Sequence, residues 1–508
     1  MKKFLIIMIL ALILPTMLFA GGSKEDQADS NAPLTVRMLY PDNSSYPLKD
    51  DWLVLQQIKE ATGVNLKLIA VPGSDYDSKL QIVFNSGDIP EICYSKTAAK
   101  TEDVYNGLLL PVSDYLDQMP NLKNFLEEND YKEDMDNLRE ADGKWYTLPA
   151  KADTRRLKLH SWMIRKDVFD KNNIPYPVTL DDVYAAGKKL KELYPDSYPI
   201  INRFGMNNIL SMMGSGFDTS AGWSLASTGF TYDANSDKFV YAPTSENYKE
   251  MLQYMTKMLN EGILDPEFDS LDSSAYEERI TQGKTFILLD WIGNQVRYNM
   301  AGKTIDEDFD VEPIFPILGK NGRYALERGT KYEQIWLIPA SVKENSRFDE
   351  ILSFIDWFYS EEASTITTFG VEGISYEVVD GHKGYMNDGS DPSSEYGLNN
   401  NGLCVRRDPD YFRAVNGDEI GDLFDAIAEE GCVLPTEPKV IFTEDEIEEL
   451  KMLSPSITDN FSVWQSDFLY GKKSFAQWNE FKQSCQDKGV QDLGDLINKA
   501  WKRTEASK

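Results

Sequence analysis

The sequence predicts an α/β protein with at least two lobes, and three observations carry that expectation. The chain has 508 residues, more than one ordinary hydrophobic core organises. Its residues are 42% hydrophobic and 12% aromatic, whereas a disordered chain is more polar. Between residues 34 and 85 a strand pattern, a helix pattern, a strand and a helix follow one another. That order implies a mainly parallel sheet with right-handed crossovers.

Taken in order, the first element is an export signal. Lys2 and Lys3 precede an apolar run from Phe4 to Leu14, which Pro15 breaks before Leu18-Phe19-Ala20. A run of this length is too short to span a bilayer and fits a cleaved signal ending near Ala20. The polar stretch from Gly21 reads as a tether through residue 32, since small polar residues make flexible linkers. Leu34 to Leu39 alternates as a strand. Trp52, Leu55, Ile58 and Ala61 recur at helical spacing, and Gly63 stands where a helix ends. Val64 to Val71 is the second strand, and Tyr76 to Asn85 the second helix, with Asp75 as its expected N-cap.

Further along, Thr179-Leu-Asp-Asp182 has capping-box spacing and opens a helix to about Leu193. Phe286 to Leu289 and Gln334 to Ile338 read as short buried strands, and Asp349 to Tyr359 as an apolar helix. Asp388 to Asn401 is polar and reads as a long surface loop. From Glu444 onward the pattern is mostly helical, with Trp464, Trp478 and Trp501 as packing residues. Outside the signal no stretch approaches eighteen apolar residues, so the mature chain is not expected to span a membrane.

The formal net charge of -31 repels phosphate backbones and anionic head groups, which argues against nucleic acid as a partner. The four cysteines, Cys93, Cys404, Cys432 and Cys485, form no CxxC pair and no zinc spacing. After export, a Cys404–Cys432 disulfide and four buried thiols are both open. Enzyme signals are thin. Gly283-Lys-Thr285 lacks the earlier glycine of a phosphate loop because Glu278 stands there, and Gly214-Ser-Gly216 is followed by Thr219. His160 and His382 lie far apart in sequence. No cofactor is expected.

Several stretches resemble the extracellular solute-binding proteins of ABC sugar importers, in particular the large oligosaccharide- and alginate-binding type. They are Ile58-Lys-Glu-Ala-Thr-Gly-Val64, Phe84-Asn-Ser-Gly-Asp-Ile-Pro-Glu91, Asp142-Gly-Lys-Trp-Tyr-Thr-Leu-Pro149, Met163 to Val168 and Pro177 to Asp182. Gly262 to Pro266, Trp336 to Pro339, Ile355 to Tyr359, Phe369-Gly-Val-Glu-Gly373 and Tyr470 onward continue the match in the expected order. Glu91 replaces the usual aspartate, and Gly21 stands where a lipoprotein signal needs cysteine. Without that thiol no thioether lipid attaches, so a free periplasmic or secreted protein is expected. Some relatives carry a calcium loop in the position of Lys191 to Ile200. Here Tyr194-Pro-Asp-Ser-Tyr-Pro199 offers one carboxylate, too few for calcium.

The resemblance implies a periplasmic-binding-protein-like fold, two α/β lobes with a hinge and an interlobe ligand cleft. It divides the chain into 33–155 plus 332–360 for one lobe and 156–331 plus 361–508 for the other. The implied partners are an oligosaccharide or other small solute and the transmembrane subunits of an ABC permease, with the protein a monomer without a direct membrane anchor. A secreted glycosidase is the alternative. Sugar sites need aromatic faces and planar polar groups. The resemblance gives Trp291 a stacking role and Asp290 a hydroxyl-accepting one. Trp162 and Arg165 follow the first crossing, and Arg328 lies near the second. Glu372 and Tyr376 follow the Phe369–Gly373 match. Trp223 sits in the Gly-rich stretch 214–229. Tyr40 ends the first strand, where open α/β sheets bind ligands, and Asp75 and Tyr76 start the next helix. For each of these residues, packing or capping is the competing role.

Overall fold

The computed structural model describes residues 32–506, apart from 44–45, 87, 98–102, 105, 153–159, 387–390, 401, 433 and 435. The expected signal and nearly all of the tether therefore lie outside the described residues. In chain order the strands are β1 (Thr35–Asp42), β2 (Asn65–Pro72), β3 (Ile92–Ser95), β4 (Leu148–Ala150), β5 (His160–Arg165), β6 (Ile200–Asn202), β7 (Phe230–Asp233), β8 (Lys238–Tyr241), β9 (Ile287–Trp291), β10 (Val311–Pro313), β11 (Ile317–Leu318), β12 (Tyr324–Ala325), β13 (Gln334–Leu337), β14 (Tyr376–Val379) and β15 (His382–Tyr385).

They form two α/β lobes. The first is built on a five-stranded sheet ordered β2-β1-β3-β13-β4, with β1 parallel to β2 and β3, and β13 antiparallel to β3 and β4. The second is built on a four-stranded sheet ordered β10-β5-β9-β6, in which β6 runs parallel to β9, and β5 antiparallel to both β9 and β10. Each lobe has its own core. Val36, Met38, Ile58, Ile92 and Trp336 belong to one, and Trp162, Ile164, Met251, Ile287 and Trp501 to the other.

The local readings rest on visible chemistry. The helix Leu53–Thr62 ends on Gly63 at φ 71°, whose N–H bonds Lys59 O, the left-handed cap that glycine adopts without strain. Thr179 and Asp182 close a reciprocal capping box on the helix Leu180–Leu193. Asp75 precedes the helix Tyr76–Phe84 but makes no side-chain cap bond. Trp478 and Trp501 are buried, and Trp464 packs on the same core.

Two expectations are corrected. Residues after 360 do not all join the second lobe, because Leu398, Leu403 and Val405 are fully buried in the first core. The N–H groups of Lys151 and Ala152 bond Cys404 O and Val405 O, so this segment extends the sheet beside β4. The described part of 388–401 is likewise no free loop. Ser394 O accepts from Trp52 Nε1 at 3.1 Å, and Leu398 and Asn400 are buried. The four cysteines are free and buried. Cys404 Sγ lies 3.6 Å from Thr368 Oγ1, while Cys432 packs with Ile292, Leu326 and Phe412, so no Cys404–Cys432 disulfide forms.

Candidate functional site

The chain crosses between lobes after β4 and again between β12 and β13. Gln334 pairs with Ala150, and Ile335 with Ser95 at the carboxyl end of β3. The crossings therefore leave the first sheet at the carboxyl ends of its parallel strands. In the second sheet β6 and β9 end at the same edge at which β5 begins, because Asn202 pairs with Leu289 and His160 with Trp291. The carboxyl edge of open α/β sheets is where ligands lodge.

Four rings gather at this second-lobe edge. The His160 ring lies 4.0 Å from Trp291, and 6.0 Å from both Phe204 and Trp223, nearly parallel to the last two. Trp291, Phe204 and Trp223 are 37%, 42% and 47% exposed, unusual for rings of this size with a core to hand. Each is held by its own device. Trp291 ends a strand whose earlier residues are buried. Phe204 follows β6 in the left-handed region, φ 68°, a conformation that strains a bulky side chain. Trp223 sits on a turn that packs on the helix Met206–Gly214, its N–H bonded to Ser211 Oγ at 2.6 Å. The turn depends on Gly222 at φ 55°, where a Cβ would lie 2.0 Å from Asn207 O.

Beneath the rings lies a charged layer. Strand pleating sends Asp290 to the face opposite Trp291, and its side chain is fully buried. Its Oδ1 accepts from Arg203 Nη2 at 2.6 Å, Trp291 N at 2.7 Å and Asn294 Nδ2 at 3.2 Å, and its Oδ2 accepts a short bond from Tyr298. Burial, then the Asp290 charge, pushes the Tyr298 phenol well above its ordinary value, so it stays a donor. Arg203 also stacks 4.1 Å from the Phe204 ring. On the second crossing, Glu327 Oε2 lies 3.1 Å from His160 Nδ1, which places the proton of a neutral imidazole on that nitrogen. Its Nε2 has no partner among the described residues. Arg328 pairs with Glu437 at 3.2 Å and donates to Ser220 Oγ at 3.1 Å. Burial pulls its guanidinium below the ordinary value. On the first lobe, beside the same crossings, Arg407 makes a two-pronged pair with Glu333 at 2.9 and 3.1 Å.

The structure thus brings together Trp291, Trp223 and, beside their loop, Arg328, whose N–H lies 3.5 Å from Ser224 Oγ. It adds Phe204, His160, Arg203 and Glu327, which sequence reading missed. The one local signal was Phe204-Gly205 directly after a strand.

The other candidates fall elsewhere. Asp290 is fully buried and receives four protein donors. Trp162 is buried, its Nε1 bonded to Ala325 O at 2.9 Å. Arg165 is at the opposite end of β5, tied to Asp167 at 2.6 and 2.8 Å and stacked on Phe309 at 3.7 Å. Tyr40 is wholly buried against Trp52. Tyr76 Oη lies 2.9 Å from the carbonyls of both Leu39 and Tyr94, joining β1 to β3. Asp75 is exposed, away from any partner acting as a cap. Glu372 and Tyr376 lie at the β14–β15 hairpin, where Tyr376 packs on Phe369 and Glu372 is exposed.

In the stretch compared with calcium loops, the ammonium of Lys191 takes the centre. Its Nζ donates to Pro195 O at 2.8 Å and Ser197 O at 2.7 Å.

Two lobes joined by crossings, with a ring cluster at the sheet edge beside them, define a binding protein of the two-lobed class. The chain belongs to the bacterial extracellular solute-binding proteins, whose family pattern matches residues 50–365. It is 27% identical over 382 residues to "Lipoprotein LipO" of Bacillus subtilis (strain 168), covering 73% of this chain and 74% of that one. It is 22% identical over 491 residues to the "Fructooligosaccharide ABC transporter substrate-binding protein FusA" of Streptococcus pneumoniae serotype 4, covering 90% of this chain and 88% of that one. Among solved structures it superposes on the alginate-binding protein AlgQ2 without calcium ion, with a TM-score of 0.69 and 18% identity over 93% of this chain and 99% of that one. FusA in complex with kestose gives 0.69 and 19% over 93% of this chain and all of that one.

Proposed function

We propose that this protein is the substrate-binding component of an ABC importer, capturing an oligosaccharide between its lobes and presenting it to the membrane permease. The observation that carries this reading is the trio of part-exposed rings, Trp291, Trp223 and Phe204, at the carboxyl edge of the second sheet. Pyranose and furanose rings offer apolar C–H faces that stack on such surfaces, and a preformed platform loses little entropy on binding. The crossings beside it act as the hinge, and ligand contact with both lobes favours the closed state. FusA, named for fructooligosaccharide, and a Bacillus subtilis relative named as a polygalacturonan/rhamnogalacturonan-binding protein, 26% identical over 74% of each chain, support the carbohydrate class.

The carboxylates around the platform support a reading of binding without chemistry. A glycosidase needs an acid and a base free across a cleft. Here Asp290, Glu327 and Glu437 are engaged by Arg203, His160 and Arg328. Export and a free, monomeric state complete the proposal.

The test is a thermal-shift screen of residues 21–508 against neutral and uronate oligosaccharides, with product analysis of the same samples. A ligand at 100 times its Kd stabilises the fold by about 2.7 kcal/mol. Stabilisation with intact glycan is expected. Cleaved glycan would overturn the binding reading, and silence across the panel would overturn the carbohydrate class.

A further inference from the structure

Two polar atoms at the second-lobe edge lie buried without a hydrogen-bond partner among the described residues, His160 Nε2 and Arg203 Nε. Their side chains are 2% and 8% exposed. The other end of each is fixed. Glu327 Oε2 holds His160 Nδ1 at 3.1 Å, which leaves the Nε2 lone pair as an acceptor. Asp290 Oδ1 holds Arg203 Nη2 at 2.6 Å, and the Nε–H remains a donor. Neither group can turn to find a partner without breaking its ion pair. A buried donor or acceptor left unmade costs free energy, so each one in a folded protein calls for a reason.

Both groups pack on one ring. Phe204 lies nearly parallel to the His160 imidazole at 6.0 Å, and the Arg203 guanidinium sits 4.1 Å over the same ring. Phe204 is also the strained residue of the platform, at φ 68°, with Gly205 at φ 79° after it. A bulky side chain in that region costs free energy, and such strain gathers at ligand sites. The Phe204 ring is part-exposed, so it can turn outward without crossing the core, and the glycine beside it lets the backbone follow. An orphaned acceptor, an orphaned donor and a strained cover therefore coincide at one place, and a single movement of Phe204 relieves all three.

We infer that His160 and Arg203 form a polar subsite behind Phe204, opened when the ligand turns that ring aside. Its occupants are hydroxyls of one sugar residue, one donating to His160 Nε2 and one accepting from Arg203 Nε. Glu327 and Asp290 are positioning residues, which fix the nitrogen that accepts and the nitrogen that donates. The displaced Phe204 ring stacks on the same sugar beside Trp291 and Trp223. The subsite rests on the carbohydrate reading above and adds selectivity to it. The rings hold any sugar with an apolar face, whereas a site built to bond a hydroxyl rejects the analogue that lacks it.

The chain has two histidines, so nitrogen NMR of the full mature chain labelled with 15N-histidine reads His160 directly. His382, exposed and paired with Asp410 at 3.0 Å on the β14–β15 hairpin, is the internal reference. The probes are kestose, maltotriose and trigalacturonate, with monodeoxy analogues of the one that binds. The bound trisaccharide is expected to shift the His160 Nε2 resonance and leave His382 in place. One monodeoxy analogue should bind the parent at least about tenfold more weakly, and His160→Phe should bind that analogue and the intact sugar equally. Where His160→Phe does not fold, the NMR titration and the monodeoxy series on the parent decide alone. The inference is overturned, with the carbohydrate reading intact, if a trisaccharide binds while His160 Nε2 stays unmoved or every monodeoxy analogue binds as the intact sugar does. If no trisaccharide shifts either histidine or the melting temperature, both fall together.

Discussion

Replacing Asp290 with alanine tests whether that carboxylate supports the ring platform or touches the ligand. It is fully buried and receives Arg203, Asn294, Tyr298 and the Trp291 N–H. Alanine leaves the Arg203 guanidinium, whose side chain is 8% exposed, without its counter-charge. Breaking a buried pair by removing one partner costs about 3–5 kcal/mol, most of it from the uncompensated charge. At about 2–4 °C per kcal/mol for a unit of 150–250 residues, the melting temperature should fall by roughly 10 °C. The assay is thermal unfolding by circular dichroism, with Arg203→Met and the double variant completing a cycle. The double variant should be more stable than Asp290→Ala alone, because it removes the orphaned charge. Refutation would be an Asp290→Ala protein that melts within about 2 °C of the parent yet no longer binds its oligosaccharide. Asp290 would then face ligand and not Arg203.

Trp291→Ala and Trp223→Ala should each weaken oligosaccharide binding by at least tenfold, about 1.4 kcal/mol or more, with little loss of stability since both rings are part-exposed; titration calorimetry reads the change. Phe204→Asn should leave the melting temperature unchanged or raise it, because asparagine tolerates the left-handed backbone that Phe204 occupies at φ 68°, while binding weakens. Lys191→Met should lower stability by about 1–3 kcal/mol, as two carbonyls lose a charged donor, and EDTA should leave the parent's melting temperature unchanged, since Lys191 Nζ fills that loop. Glu446 is held below the usual carboxylate range, chiefly by its hydrogen bonds with Arg503 at 2.5 and 2.7 Å. Its folded value is depressed, so its contribution is present above the ordinary carboxylate range and is lost as pH falls through the folded value. Glu446→Gln should therefore cost about 1.5–3 kcal/mol at neutral pH, and the gap to the parent should close in acid, followed by denaturant melts across pH.

Elements with a local cause were legible in the sequence. The capping box at Thr179 and Asp182 and the glycine stop at Gly63 are written within four residues of chain. The strand before Trp291 is legible too, because a short continuous apolar run reads as a buried strand. What eluded the sequence depends on partners far along it. Pleating buries Asp290 only because Arg203, 87 residues away, arrives just past the end of the neighbouring strand to meet it. His160 becomes part of the platform because Glu327, 167 residues on, returns across the lobe junction. Cys404 and Cys432 looked pairable by number, yet the chain between them passes from the first core to the Ile292–Phe412 cluster.

The sequence by itself determined the α/β class, the opening strand–helix–strand–helix order, the family and the presence of an aromatic residue at the end of β9. It could do so because periodicity, capping and turn chemistry act over a few neighbouring residues. Only the tertiary structure decided which of the candidate residues are exposed rings, which are buried counter-charges, and to which lobe residues 361–407 return. Those outcomes rest on pairings between distant segments, set by how two sheets and their crossings pack, and no local pattern encodes them.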